Sequence, residues 1–211
     1  MHACFDTGDP GELERSHGLI LEALHHEVLA GRIPLDAARV ERFRRLYLAM
    51  GVEPDPELAA LTAASYRDRY KAAHSEVRGA AALLEAVRAH ARVVIVSNNL
   101  LEEQRTKLRA CGLAAHVDVL VVSEEAGMPK PDPRIFEIAL QRAGVTAAEA
   151  VMVGDSWAND IEGARAAGIR AIWFNREGAA PPDPGVELLT SLEPTRQVLA
   201  RLIGASSSRL S

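Results

Sequence analysis

The feature that most constrains this chain is a regular alternation that begins after Gly79. Four short apolar runs, Val93–Val96, Val117–Val122, Val151–Val153 and Ile169–Phe174, are separated by helical segments near Leu100–Cys111, Pro133–Ala143 and Asp160–Ala167. The runs are rich in β-branched residues and apolar apart from Asp118 and Arg170 near their starts, as expected of parallel strands covered on both faces. Gly112, Gly144 and Gly168 each stand where a helix end wants a left-handed residue. This order predicts an α/β fold, a Rossmann-like parallel sheet with helices on both sides. Ligands in such sheets bind beyond the carboxyl ends of the strands, so the chemistry is sought there.

The first third reads differently. Leu13, Ile20, Leu24 and Val28 share one helical face, and Gly31 supplies a stop. Asp36 is placed to cap a second helix carrying Val40, Phe43, Tyr47 and Met50, with Gly51 beyond it. Asp55-Pro56 reads as an N-cap followed by a first-turn proline, opening a third helix through Tyr66 and Tyr70. The expected organisation is a remnant strand and loop over 1–11, a helical domain over 12–78, an α/β core over 79–204 and a flexible tail over 205–211.

Charge and composition exclude several classes. Lys+Arg 24 against Asp+Glu 29 gives a formal net charge of −5, with no basic stripe to hold nucleic acid. The longest apolar runs are far too short to cross a bilayer, so no membrane partner is expected. The N-terminus lacks the basic and apolar regions of a secretory signal. Two cysteines, Cys4 and Cys111, form no disulfide framework and suit a reducing cytoplasm. A cytoplasmic monomer or homodimer is expected.

Three strand tips carry candidate chemistry. Val93–Val96 runs into Ser97-Asn98-Asn99, where a hydroxyl, an amide and the next helix's free N–H groups can hold an anion. A plain helix cap explains the same residues. In Pro129-Lys130-Pro131-Asp132-Pro133, prolines on both sides of Lys130 keep its backbone out of helix and fix the direction of its ammonium; a solvated loop lysine is the plainer reading. Val151–Val153 leads to Gly154-Asp155 and then Asp160. Two carboxylates five residues apart, one at a strand tip and one entering a helix, suit a hard cation such as Mg2+, although both could be caps. Trp157, beside them, is either core cover or a wall of the site.

Taken together, Ser97-Asn98, Lys130-Pro131 and Gly154-Asp155 with Asp160 resemble motifs two, three and four of the haloacid dehalogenase-like (HAD) hydrolase superfamily. The stretch from Val151 to Ala164 is similar to the subfamily whose helical cap follows the first strand. The resemblance implies magnesium-dependent transfer of a phosphoryl group from a small phosphorylated substrate to an aspartate and then to water. It places Ser97 and Asn98 on the phosphoryl group, Lys130 on the phosphate and the nucleophile, Asp155 on Mg2+, and Asp160 on the metal or on Lys130. It also implies a cap that closes over the site and selects substrate, with Phe43 and Tyr47 as candidate contacts.

The family's first motif, a strand ending Asp-x-Asp-Gly-Thr, has no clear counterpart in Met1-His2-Ala3-Cys4-Phe5-Asp6-Thr7-Gly8-Asp9-Pro10. In one alignment Asp6 is the nucleophile and Gly8 occupies the acid/base position. In the other, Phe5-Asp6-Thr7 follows the motif, and the nucleophile lies before Met1. The resemblance puts that first strand between Val93–Val96 and Val151–Val153, so it is expected to be missing or a stub, and an upstream start is the favoured explanation. Two other functions fit less well: a non-catalytic phosphate-binding module with this fold, and a 2-haloacid dehalogenase, whose chemistry needs no magnesium carboxylates. Lys130→Ala and Asp155→Ala are expected to abolish activity with little loss of fold.

Overall fold

The computed structural model describes residues 10–204. The N-terminal stretch that includes Asp6, and the tail, lie outside the described residues. The chain divides into two compact units, residues 1–74 and 75–211.

The first unit holds α1 (Pro10–Leu29), α2 (Leu35–Ala49) and α3 (Pro56–Ala72). Phe43, Leu46, Tyr47 and Ala63 form its buried centre, with Leu13, Ile20, Val40 and Tyr66 packed against them. Asp55 caps α3 as the sequence suggests, its side chain accepting from the Glu57 N–H at 2.9 Å. Asp36 is not a cap. The cap position falls to Pro34, and Asp36 lies in the first turn of α2, where its carboxylate faces the positive end of the helix dipole. Phe43 and Tyr47 are core residues and not available for substrate contact: both are buried, and the Tyr47 hydroxyl lies 2.9 Å from Thr62 Oγ1.

The second unit follows the predicted alternation. In chain order it contains α4 (Ala80–Arg88), β1 (Val94–Ser97), α5 (Leu101–Ala110), β2 (Val119–Val122), α6 (Ser123–Ala126), α7 (Pro133–Ala143) and β3 (Val151–Gly154). A π-helical turn at Trp157–Glu162 then leads into α8 (Gly163–Ala166), β4 (Arg170–Phe174), β5 (Glu187–Leu189) and α9 (Thr195–Ile203). Gly112, Gly144 and Gly168 adopt φ of +69°, +71° and +74°, as the helix ends require. α4, β5 and α9 were not foreseen from the sequence, and Cys111, next to the glycine that ends α5, is half-buried.

All strand pairs are parallel. β1 pairs with β2, and separately β3 pairs with β4 and β4 with β5. Among the described residues, no ladder joins β1 to β3. A shared core nevertheless unites the two sheets. Val94 and Val96 of β1, Val121 of β2, Met152 of β3, and Ala171 and Trp173 of β4 pack with Ile135, Phe136 and Ala139 of α7. Alternate residues face the other way: Val151, Val153, Ile172 and Phe174 pack with Leu83 of α4 and Val198 of α9. This period-two division between opposite layers is what parallel strands covered on both faces demand.

Candidate active site

The carboxyl ends of β1 and β3 are connected through the segment that follows β2. After β1, the Asn98 side chain grips the main chain of Lys130 twice: Nδ2 donates to the Lys130 carbonyl at 2.9 Å, and Oδ1 accepts from the Lys130 N–H at 2.6 Å. The Lys130–Pro131 peptide is cis. Lys130 Nζ donates to Asp160 Oδ1 at 2.5 Å, with side-chain exposures of only 11% and 6%. Asp160 Oδ2 in turn accepts from the Ser156 N–H at 3.0 Å. Ser97, Asn98, Lys130, Asp155 and Asp160 are thus gathered at one end of this unit.

Local sequence explains the precision. Gly154, the last residue of β3, lies so close to Asp160 that any side chain there would overlap it. Gly163 has Phe136 and the Pro131 backbone where its Cβ would stand. Two glycines therefore allow the π-helical turn to press Asp160 against both the strand tip and the Lys130 loop. A π-turn is uncommon and adds a residue to the helical repeat, often at functional sites.

The individual side chains have distinct surroundings. The Ser97 hydroxyl donates to Gln104 Oε1 at 3.2 Å, as does Asn99 Nδ2. Asn98 is occupied with the Lys130 backbone. Both oxygens of Asp160 are engaged, by Lys130 and by Ser156, which are the contacts of a residue supporting Lys130. Asp155 differs: its carboxylate is 65% exposed, and its nearest ionic neighbour is Arg176 at 3.8 Å. It lies on a cavity of about 290 Å³ that Trp173, Phe174, Asn175 and Arg176 also line. Among the described residues no group of three His, Cys, Asp or Glu side chains converges to cage a metal. One exposed carboxylate at a strand tip is still a fitting donor for Mg2+, which takes one or two protein carboxylates and fills its other positions with water and phosphate oxygens.

Several neighbours were not singled out from the sequence. Trp173 Nε1 donates to the Asp155 carbonyl at 2.9 Å. Asn175, buried, clamps the following loop by accepting from the Ala179 N–H and donating to its carbonyl. Trp157 packs edge-on against Trp173, with centroids 5.4 Å apart, and against the core, so it is core cover. A tryptophan next to last in an apolar strand gives the hint of such a role, since a buried indole N–H needs an acceptor.

A lysine–carboxylate pair and an exposed aspartate thus stand together at the strand tips of a parallel α/β unit. The chain matches the haloacid dehalogenase-like hydrolases over residues 12–168, and it belongs to that family. It is 45% identical over 102 residues to a phosphoserine phosphatase of Thermus thermophilus, covering 48% of this chain and 41% of that protein. The HAD hydrolase YfnB of Bacillus subtilis, solved bound to magnesium, superposes with a TM-score of 0.70 at 25% identity over 92% of this chain and 85% of that one. A 2-haloacid dehalogenase of Pseudomonas syringae gives 0.59 at 26% identity, over 93% and 83%. The chain spans about half the length of the curated relatives it matches. No helix of the described residues is long and apolar enough to cross a membrane.

Proposed function

We propose that this chain is a magnesium-dependent phosphohydrolase acting on small phosphorylated metabolites by way of an aspartyl-phosphate. The observation that carries the reading is the division of labour between the two aspartates: Asp160 is enclosed and bound to Lys130, while Asp155 is exposed at the strand tip beside it.

A carboxylate attacks a phosphate ester only when nearby cations offset the repulsion between the two anions. Lys130, aimed by Asp160 and fixed at its backbone by Asn98, supplies one positive charge in a nearly water-free setting. Asp155 would hold Mg2+, whose charge neutralises developing negative oxygens during phosphoryl transfer. Ser97, at the tip of β1, would keep the phosphoryl group in line for attack, whereas the Asn98 side chain, spent on the Lys130 backbone, would act through Lys130 and not on the phosphoryl group directly. Within this chain the candidate nucleophile is Asp6.

The test is hydrolysis of p-nitrophenyl phosphate with and without EDTA, together with isothermal titration of Mg2+ into the wild type and Asp155→Ala. Turnover that stops with EDTA, and Mg2+ binding that is lost in Asp155→Ala, support the proposal. Asp6→Asn removes that turnover if Asp6 is the attacking group. The similarity to a 2-haloacid dehalogenase favours a second reading, in which a 2-haloacid is hydrolysed and EDTA has no effect. Saturable binding of Mg2+ and a phosphate ester without turnover, in this chain and in one extended upstream, would indicate a non-catalytic module.

A further inference from the structure

We infer that Trp173 is a positioning residue for Asp155: its indole N–H holds the Asp155 carbonyl and so fixes the direction in which the exposed carboxylate points. The inference rests on the reading of Asp155 as the metal-holding residue and adds to it a residue that no motif marks.

The turn from β3 into the π-helix is restrained at three points. Gly154 is packed on Asp160, the Ser156 N–H is bound to Asp160 Oδ2, and the Asp155 carbonyl accepts from Trp173 Nε1 at 2.9 Å. The first comes from Asp160 packing on Gly154. The second and third grip opposite ends of one peptide unit, the one joining Asp155 to Ser156, and the third is the restraint that comes from outside the Asp160 turn.

Trp173 is well placed to impose it. It sits on β4 directly opposite Gly154 in the parallel ladder, so its backbone is in register with the strand tip. Its side chain is buried at 7% exposure. Trp157 packs against it with the rings at 78°, and Trp157 is itself tied to Glu162 through Nε1 at 3.0 Å. A ring so confined loses little further freedom in making its hydrogen bond, whereas an exposed donor would have to be ordered first. Among the described residues the Asp155 carboxylate, 65% exposed, has the Arg176 guanidinium at 3.8 Å as its ionic neighbour, so the backbone that carries it does much to set its direction. Groups that orient a metal ligand without touching the metal commonly change metal affinity about 10–100-fold.

The chain contains two tryptophans, which makes the test direct. Mg2+ alone is titrated into the wild type, Trp173→Phe, Trp157→Phe and Asp155→Ala by calorimetry, with urea unfolding of each. Trp173→Phe retains the ring and deletes the N–H. The expected result is an approximately 10-fold weaker Mg2+ affinity in Trp173→Phe, with Trp157→Phe within about twofold of wild type. In Trp157→Phe the remaining indole N–H signal, that of Trp173, should shift on Mg2+ addition in a nitrogen–proton correlation spectrum. That measurement decides the matter even if Trp173→Phe does not fold. An unchanged affinity in a folded Trp173→Phe, or an indole signal indifferent to Mg2+, overturns the inference while leaving Asp155 in place. If Asp155→Ala binds Mg2+ as the wild type does, the metal reading itself fails and this inference falls with it.

Discussion

Lys130 and Asp160 illustrate how a site residue can also be a stability residue. Removing Lys130 leaves the Asp160 carboxylate enclosed without its cation, and breaking a buried pair on one side costs about 3–5 kcal/mol. Lys130→Ala should therefore lower the urea midpoint sharply as well as abolish turnover, where the sequence alone suggests little loss of fold. Asp155→Ala, at an exposed position, should unfold within about 0.5 kcal/mol of wild type while losing Mg2+ binding. Comparing the two variants by urea titration and calorimetry checks the contrast. His17 gives a second prediction in the helical unit. Burial, reinforced by the Arg42 guanidinium, lowers its pKa to about 4. Its buried Nε2 has no hydrogen-bond partner among the described residues. The folded state therefore keeps His17 neutral, while the unfolded chain takes up a proton near pH 6.5. Its contribution is complete above pH 6.5 and is lost as pH falls toward 4, about 2–3 kcal/mol in all. His17→Phe, which keeps a ring between Phe43 and Tyr66, should flatten that loss in urea midpoints measured from pH 7 to 4.

Elements were legible in the sequence to the extent that their signals were local. Strands β1 to β4 and helix α7 follow from β-branched runs, a capping Asp132 and a terminal Gly144. β5 has three residues and α9 begins after a proline, so neither carries enough periodicity to stand out. The candidate site was legible as three strand tips, because α/β topology brings them together whatever the intervening sequence. Its internal wiring was legible only in part, since the family resemblance offered Lys130 as one of two partners for Asp160. That Asn98 would grip the Lys130 backbone, or that Asp160 would be drawn in by a π-helical turn, depends on contacts between residues about thirty positions apart. Gly154 and Gly163 are the local trace of that wiring. Gly154→Ala and Gly163→Ala should each destabilise the α/β unit by about 1–3 kcal/mol through overpacking. Thermal unfolding reads the cost, and Mg2+ titration of Gly154→Ala reads the displacement of the turn.

On the scale of the whole molecule, each unit has its own hydrophobic centre: Phe43 and Leu46 in one, Ile135, Phe136 and Ile161 in the other. Such units can unfold separately. Calorimetry at pH 5 should resolve two transitions, because protonation of His17 weakens only the helical unit. Adding Mg2+ should raise only the transition of the α/β unit, by mass action. A single transition unaffected by pH would contradict the assignment of these effects to separate cores.

The link from Asn98 through Lys130 to Asp160 fastens the tip of β1 to the tip of β3, which no ladder joins among the described residues. Its three side chains are therefore retained by the needs of architecture as well as by those of chemistry. A descendant that had lost its reaction altogether would still be punished for changing them. Their persistence in a lineage is weak testimony to turnover; the residue whose fate records whether the reaction is still under selection is Asp155, which the fold itself can spare.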